Sequence, residues 1–284
     1  MINHKKAIFF AVLAAALYAI NAPGSKLLLA EIPSTMMAGF LYLGAGMGMY
    51  LLEKINRRAE ELPLTKKEIP YTAAMVALDI AAPIFLMIGL TRCSAANASL
   101  LNNFEIVATS LIALLLFGEA IGKRLWIAIA LVTISSVLLS FEDMSSLRFS
   151  WGSVFVLLAC LCWGFENNCT RKLSSKNPAQ IVVIKGFGSG LGALILALIV
   201  GERFFHMGYI VMALLLGFVA YGLSIYFYIY AQRDLGAAKT STYYAISPFI
   251  GAGLSLIIFN EIPSPVFIIA LLIMAVGTYF ASTE

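Results

Sequence analysis

Ten apolar runs, each near the roughly twenty residues a helix needs to cross a bilayer, take up almost the whole chain. They fall at residues 6–29, 33–52, 69–91, 95–117, 124–141, 151–173, 178–200, 208–232, 236–259 and 263–281. Breakers separate them, at Pro33, Pro70, Asn177-Pro178, Gly236, and Pro263 with Pro265. The longest polar stretch, Glu53 to Glu68, is a loop of about sixteen residues, too short for a separate soluble domain. Only 12% of residues are charged and mean hydropathy is +0.92, where soluble domains carry roughly 25% charge. The expected fold class is an all-α polytopic membrane protein with ten transmembrane helices.

Charge and cysteine usage exclude several functions. The net charge of +4 comes from basic residues that flank apolar runs, so no nucleic-acid partner is implied. Three of the four cysteines, Cys160, Cys162 and Cys169, share one run, with neither a disulfide framework nor a zinc spacing. The only histidines, His4 and His206, lie near run ends. No metal, cofactor or catalytic set is expected, and the chain does not read as an enzyme. Lys5 and Lys6 ahead of an apolar run resemble a signal peptide. That run passes 20 residues and nine more follow, so a first membrane helix is expected instead.

Loop charges set the orientation. Of the 19 lysines and arginines, 14 fall on the N-terminal side, 4 on the other, and Lys185 inside a run. The positive-inside rule then puts both termini in the cytoplasm.

The chain also repeats. At an offset of 142, Ala95, Ala96, Ser99, Phe117 and Glu119 align with Ala237, Ala238, Ser241, Phe259 and Glu261. Tyr18-Ala-Ile-Asn21 aligns with Trp163-Gly-Phe-Glu166 at 145. The expected units are 1–142 and 149–284, five helices each. An odd number of helices per unit inverts the second, a transporter signature with substrate near the midplane.

These features are similar to the drug/metabolite transporter superfamily, EamA type. The likeness rests on the five-plus-five repeat, the Phe-Gly-Glu119 and Phe-Asn-Glu261 endings, and the segment Trp163-Gly-Phe-Glu-Asn-Asn-Cys-Thr-Arg-Lys172 followed by Lys185-Gly. It spans essentially the whole chain. The resemblance implies a carrier of the bacterial inner membrane, often an exporter of amino acids or small metabolites. It also implies a cavity between runs 1, 3, 4, 6, 8 and 9. Ile106 stands where the family often carries proline after the glutamate, so no proline kink is implied there.

An ionisable side chain in hydrocarbon needs a partner or a wet cavity. Glu166 lies 7 residues before Leu173, and Lys185 lies 7 after Pro178. Both are therefore ~10 Å from the same membrane face. They are expected to pair, either as a structural lock or as a charged inner gate. Asn167 and Asn168 beside Glu166 favour a polar surrounding. Asp79 and Glu105 each lie ten residues into a run, ~15 Å deep, with Asn102 and Asn103 close by. They form the expected proton-coupling or amine-binding set, because two acids at one depth cannot both ionise cheaply. The repeat mates of Glu105 and Glu166 are Ser247 and Asn21. Helix bonding should be interrupted near Pro23-Gly24 and Pro248. Trp163, Tyr221 and Tyr244 suit an aromatic wall, whereas Tyr209, Tyr230 and Trp126 read as interfacial belts and packing. The glycines at 44, 46 and 48 and at 186, 188, 190 and 192 read as helix-packing positions. Glu119 and Glu261 read as turn residues.

The function expected is secondary active transport by alternating access. Its substrate would be a small polar or amphipathic metabolite, an amino acid or related amine, exported in exchange for protons. A proton-driven importer of an organic cation, or a non-transporting scaffold, is the alternative. Partners would be the lipid bilayer, the substrate, protons and a second copy of the chain.

Overall fold

The computed structural model describes residues 4–55, 62, 64–118, 120–143, 148–173, 176–235, 240 and 243–283. Glu119 and Ser241 lie outside the described residues. The helices are α1 (His4–Ala19), α2 (Asn21–Leu28), α3 (Ser34–Ile55), α4 (Ile69–Arg92), α5 (Ala95–Leu101), α6 (Phe104–Phe117) and α7 (Lys123–Leu139). They continue as α8 (Trp151–Leu173), α9 (Pro178–Ile199), α10 (Met207–Gly217), α11 (Ser224–Leu235), α12 (Ser247–Phe259) and α13 (Pro265–Ser282).

Among the described residues, eight helical segments are long and apolar enough to cross a membrane. The described helices of the fifth and ninth runs are shorter. α7 has 17 residues, opening on Lys123 and Arg124. α12 has 13, because Pro248 has no N–H to extend the ladder backward and sits in its first turn instead. Among the described residues, the fold is helical apart from one short ribbon. Phe141–Asp143 (β1) pairs antiparallel with Arg148–Phe149 (β2), a small ribbon between α7 and α8. Large apolar side chains such as Leu115, Ile199, Ile257 and Leu272 stay exposed on the outside. A lipid-facing surface permits this, since lipid tails are as apolar as leucine.

The helices pack in pairs: α4 along α8, α3 along α9, α7 along α13, α1 along α11, and α5 against α12. Small residues allow the closest approaches. A Cβ on Gly217 would sit 1.9 Å from the Leu41 carbonyl oxygen, and one on Gly186 would sit 2.3 Å from the Gly46 Cα. Backbone cannot yield as a side chain can, so α10 and α9 must move off α3 if either glycine grows. Gly217→Ala is therefore expected to destabilise the fold by about 1–3 kcal/mol, the usual cost of overpacking. A lowered melting temperature of the purified protein in detergent would show it. An unchanged melting temperature would mean that α10 and α3 can separate freely.

Four interruptions shape the interior. α1 and α2 part at Ile20, and Pro23 supplies no N–H to the Ala19 carbonyl one turn back. α5 and α6 part at Asn102-Asn103, where Asn103 N–H bonds Leu100 O at 3.1 Å and Glu105 N–H bonds Asn102 O at 3.1 Å. These three-residue bonds break the helix without a proline at position 106. Phe218–Leu223 is a π-helical segment between α10 and α11. Pro83 lies inside α4, so the carbonyl of Asp79 also lacks its usual donor. Two helices close alike: Gly118 after α6 and Asn260 after α12 are both left-handed, at φ 66° and 51°, the usual cap conformation.

Candidate functional site

The charged residues meet where α4, α8 and α9 face one another. Lys185 Nζ on α9 lies 2.9 Å from Glu166 Oε1 on α8 and 3.2 Å from Asp79 Oδ2 on α4. All three side chains are buried. Tyr42 on α3 donates to Asp79 Oδ1 at 2.9 Å, and the Thr170 hydroxyl donates to Glu166. One ammonium thus pairs with two carboxyl groups, offsetting one full negative charge, and ties three helices together. Taking those charges out of water is tolerable only because each finds a partner.

Glu105 on α6 stands apart from this clasp. Its Oε1 accepts from Asn167 Nδ2 at 2.6 Å, and the same amide reaches Thr109 Oγ1 at 3.3 Å. Asn168 next door donates to Gly164 O at 2.8 Å and to Thr109 O at 3.1 Å. The three consecutive polar residues of α8 therefore each engage a different neighbour. The expected pairing of Glu166 with Lys185 is present. Asp79 and Glu105, grouped by depth, have different partners. Asp79 shares Lys185 with Glu166, and Glu105 is held by a neutral amide. Glu166 and Lys185 remain within electrostatic range of Glu105.

An aromatic wall closes the other side. Tyr221, on the π-helical segment, packs at a tilt 5.1 Å from Tyr42 and edge-on 5.8 Å from Tyr18. Its hydroxyl accepts from Asn21 Nδ2 at 2.9 Å, and Ser25 donates to Asn21 Oδ1 at 3.1 Å. Tyr244 lies 5.9 Å from Tyr18 and 5.0 Å from Tyr228. Its hydroxyl sits 3.4 Å from Ser224 Oγ. Trp163 is buried in α8, one turn before Glu166 and Asn167. Asn102 is buried at the break between α5 and α6. Tyr230, read as a belt or packing residue, is buried and packs edge-on 4.8 Å from Tyr226.

Sequence reasoning did not single out Tyr42, Thr109 or Thr170. Tyr42 carried a usable signal. It lies nine residues after Pro33, within ~1.5 Å of the depth of Asp79 in its run. The threonines had none, since a threonine on a membrane helix commonly bonds its own backbone. The π-helical turn beneath Tyr221 was also unmarked, although such turns concentrate at functional sites.

A helical membrane protein with an acid-rich, tyrosine-walled interior at helix breaks has the build of a carrier. Comparison with known proteins agrees. The EamA-like transporter family profile matches residues 5–141 and 150–283, and the chain belongs to that family. It is a multi-pass membrane transporter. An uncharacterized transporter of Methanothermobacter thermautotrophicus is 25% identical over 264 residues, covering 86% of this chain and 76% of that protein. The uncharacterized inner membrane transporter YedA of Escherichia coli K12 is 23% identical over 228 residues, covering 77% and 71%. A solved crystal structure superposes with a TM-score of 0.70 over 98% of this chain and 97% of that one. At 15% identity it speaks for the fold alone.

Proposed function

We propose that this chain is a proton-coupled secondary carrier that exports a small amine-bearing metabolite, with Glu105 as the carboxyl that alternately holds a proton and the substrate amine. The observation that carries this is the unequal treatment of three interior acids. Asp79 and Glu166 are buried and both pair with Lys185, whereas Glu105 is half-buried and its carboxylate accepts from the Asn167 amide rather than from a cation. A carboxyl in a membrane interior without a cation beside it is stable when protonated or when a cationic ligand arrives. The tyrosine faces beside it add cation–π attraction for an ammonium group.

Lys185 is a poor receptor for a substrate carboxylate, since two protein carboxylates already occupy it. The substrate class therefore narrows from zwitterions toward molecules recognised chiefly by an amine. An amino acid would have to displace Asp79 or Glu166 from the lysine. The clasp acts as a lock on the cytoplasmic side of the cavity, joining α4, α8 and α9.

The scaffold we infer is two inverted five-helix repeats, residues 1–142 and 149–284. Two matches to one family profile support it. So do the helix pairings, which an internal two-fold axis would map onto themselves. The second run packs on the seventh, the fourth on the ninth and the fifth on the tenth, each with its own mate. The third-with-sixth and eighth-with-first pairs exchange. The matching left-handed caps at Gly118 and Asn260 fall at equivalent points. The distribution of lysine and arginine supports cytoplasmic termini, and the inner-membrane relative supports the location.

The test is uptake by reconstituted vesicles of labelled polyamines, quaternary amines, amino acids and nucleobases under an imposed proton gradient. Amines moving against the gradient, with amino acids moving weakly, are expected. Export is indicated if the protein loads inside-out vesicles in exchange for protons, and import if only right-side-out vesicles load with them. No movement of any amine would overturn the assignment of Glu105.

A further inference from the structure

Two of the helix interruptions, at Ile20 and at Asn102-Asn103, meet the start of α12 at a second polar pocket. It is small, about 10 Å³, which is room for one water-sized particle. Ser99 Oγ, Asn102 Oδ1 and Ser247 Oγ line it, and none of the three has a hydrogen-bond partner among the described residues. Their exposures are 2%, 8% and 1%. Leaving a buried polar atom unsatisfied is costly, so three around one void point to an occupant.

The chemistry of the lining selects it. A fourth oxygen, the carbonyl of Ala19, is 3.0 Å from where a Cβ on Gly251 would stand, and Ser99 Oγ is 2.9 Å from the same point. Pro23 denies that carbonyl its usual helical donor. No lysine, arginine or histidine lines the pocket. α1 and α5 both end here, presenting their negative poles. α2 and α12 begin here and oppose them, so oxygen contacts rather than a long-range field must do the binding. Hydroxyl, amide and freed carbonyl oxygens at interrupted helices are the donor set that holds sodium without a carboxylate in secondary carriers.

We propose that this pocket is a sodium site joining α1, α5 and α12. Occupied, it holds the broken ends of these helices together. Empty, it leaves them free to shift. The inference stands apart from the role given to Glu105, since ion binding is read without transport.

The experiment is thermal melting of the purified full chain in detergent, titrated with sodium, potassium or N-methylglucamine chloride at constant ionic strength. Sodium is expected to raise the melting temperature by several degrees, saturably, with potassium weaker and the organic cation inert. Ser99→Ala and Ser247→Ala should each shift the sodium titration to at least tenfold higher concentration. Gly251→Ala, whose Cβ fills the pocket, should abolish the response; if it fails to fold, the serine variants decide. Equal melting in all three salts would overturn the proposal and leave a structural water in the pocket. A sodium response unchanged in both serine variants would also overturn it, because the ion would then bind elsewhere.

Discussion

Lys185→Met is expected to lower the stability of the fold by about 3–5 kcal/mol, the cost of stranding a buried charge partner. Here two partners are stranded. Asp79 and Glu166 approach the same ammonium at 3.2 and 2.9 Å, and without it they repel across the seam between α4 and α8. Tyr42 and Thr170 can each donate one hydrogen bond but bring no positive charge. The variant should melt far below the wild type, or elute as aggregate. The compensated variant Asp79→Asn, Glu166→Gln, Lys185→Met should recover most of the loss, since replacing every member of a buried ionic group is often nearly neutral. If Lys185→Met alone melts with the wild type, the clasp does not hold the helices together, and Lys185 is open to a substrate after all.

Glu105→Gln is expected to fold nearly normally yet bind an amine substrate about 10–100-fold more weakly. A charge-assisted hydrogen bond contributes about 1.5–3 kcal/mol, and each 1.4 kcal/mol is tenfold in affinity. Stability should hold because glutamine keeps an oxygen for Asn167 Nδ2, 2.6 Å away in the wild type. The pH dependence has a definite sign. Proton and amine compete for one carboxylate, so wild-type affinity should strengthen as pH rises and level off once Glu105 is ionised. In Glu105→Gln the profile should be flat. Counterflow of a labelled amine in vesicles at several pH values measures both effects. A wild-type-like slope in the variant would assign the competing proton to another group.

The helices were legible because length and apolarity suffice for them. Partners were legible only where depth decided. Glu166 and Lys185 share a distance from the same membrane face, and they meet. Asp79 was matched by depth to Glu105, but depth carries no information about which way a helix face turns. α4 presents Asp79 toward α9, and the long lysine side chain spans the ~4.5 Å difference in depth. The interruption at Asn102-Asn103 was hidden because no proline marks it, and asparagines break helices only when their surroundings reward it. The π-helical turn at Tyr221 was hidden for a similar reason. It arises where α10 packs against α3, through a glycine contact that no local pattern announces. The start of α12 could have been read from Pro248, which sits in its first turn.

The most direct test of the carrier assignment is proton movement driven by substrate. Vesicles holding the purified protein and a pH-sensitive dye would receive each amine in turn, for the wild type and for Glu105→Gln. Amine-dependent alkalinisation of the lumen in the wild type, absent in Glu105→Gln while counterflow of the same amine persists, is the predicted result. Equal proton flux in both proteins would contradict the account, and the coupling carboxyl would have to be sought at Asp79 or Glu166.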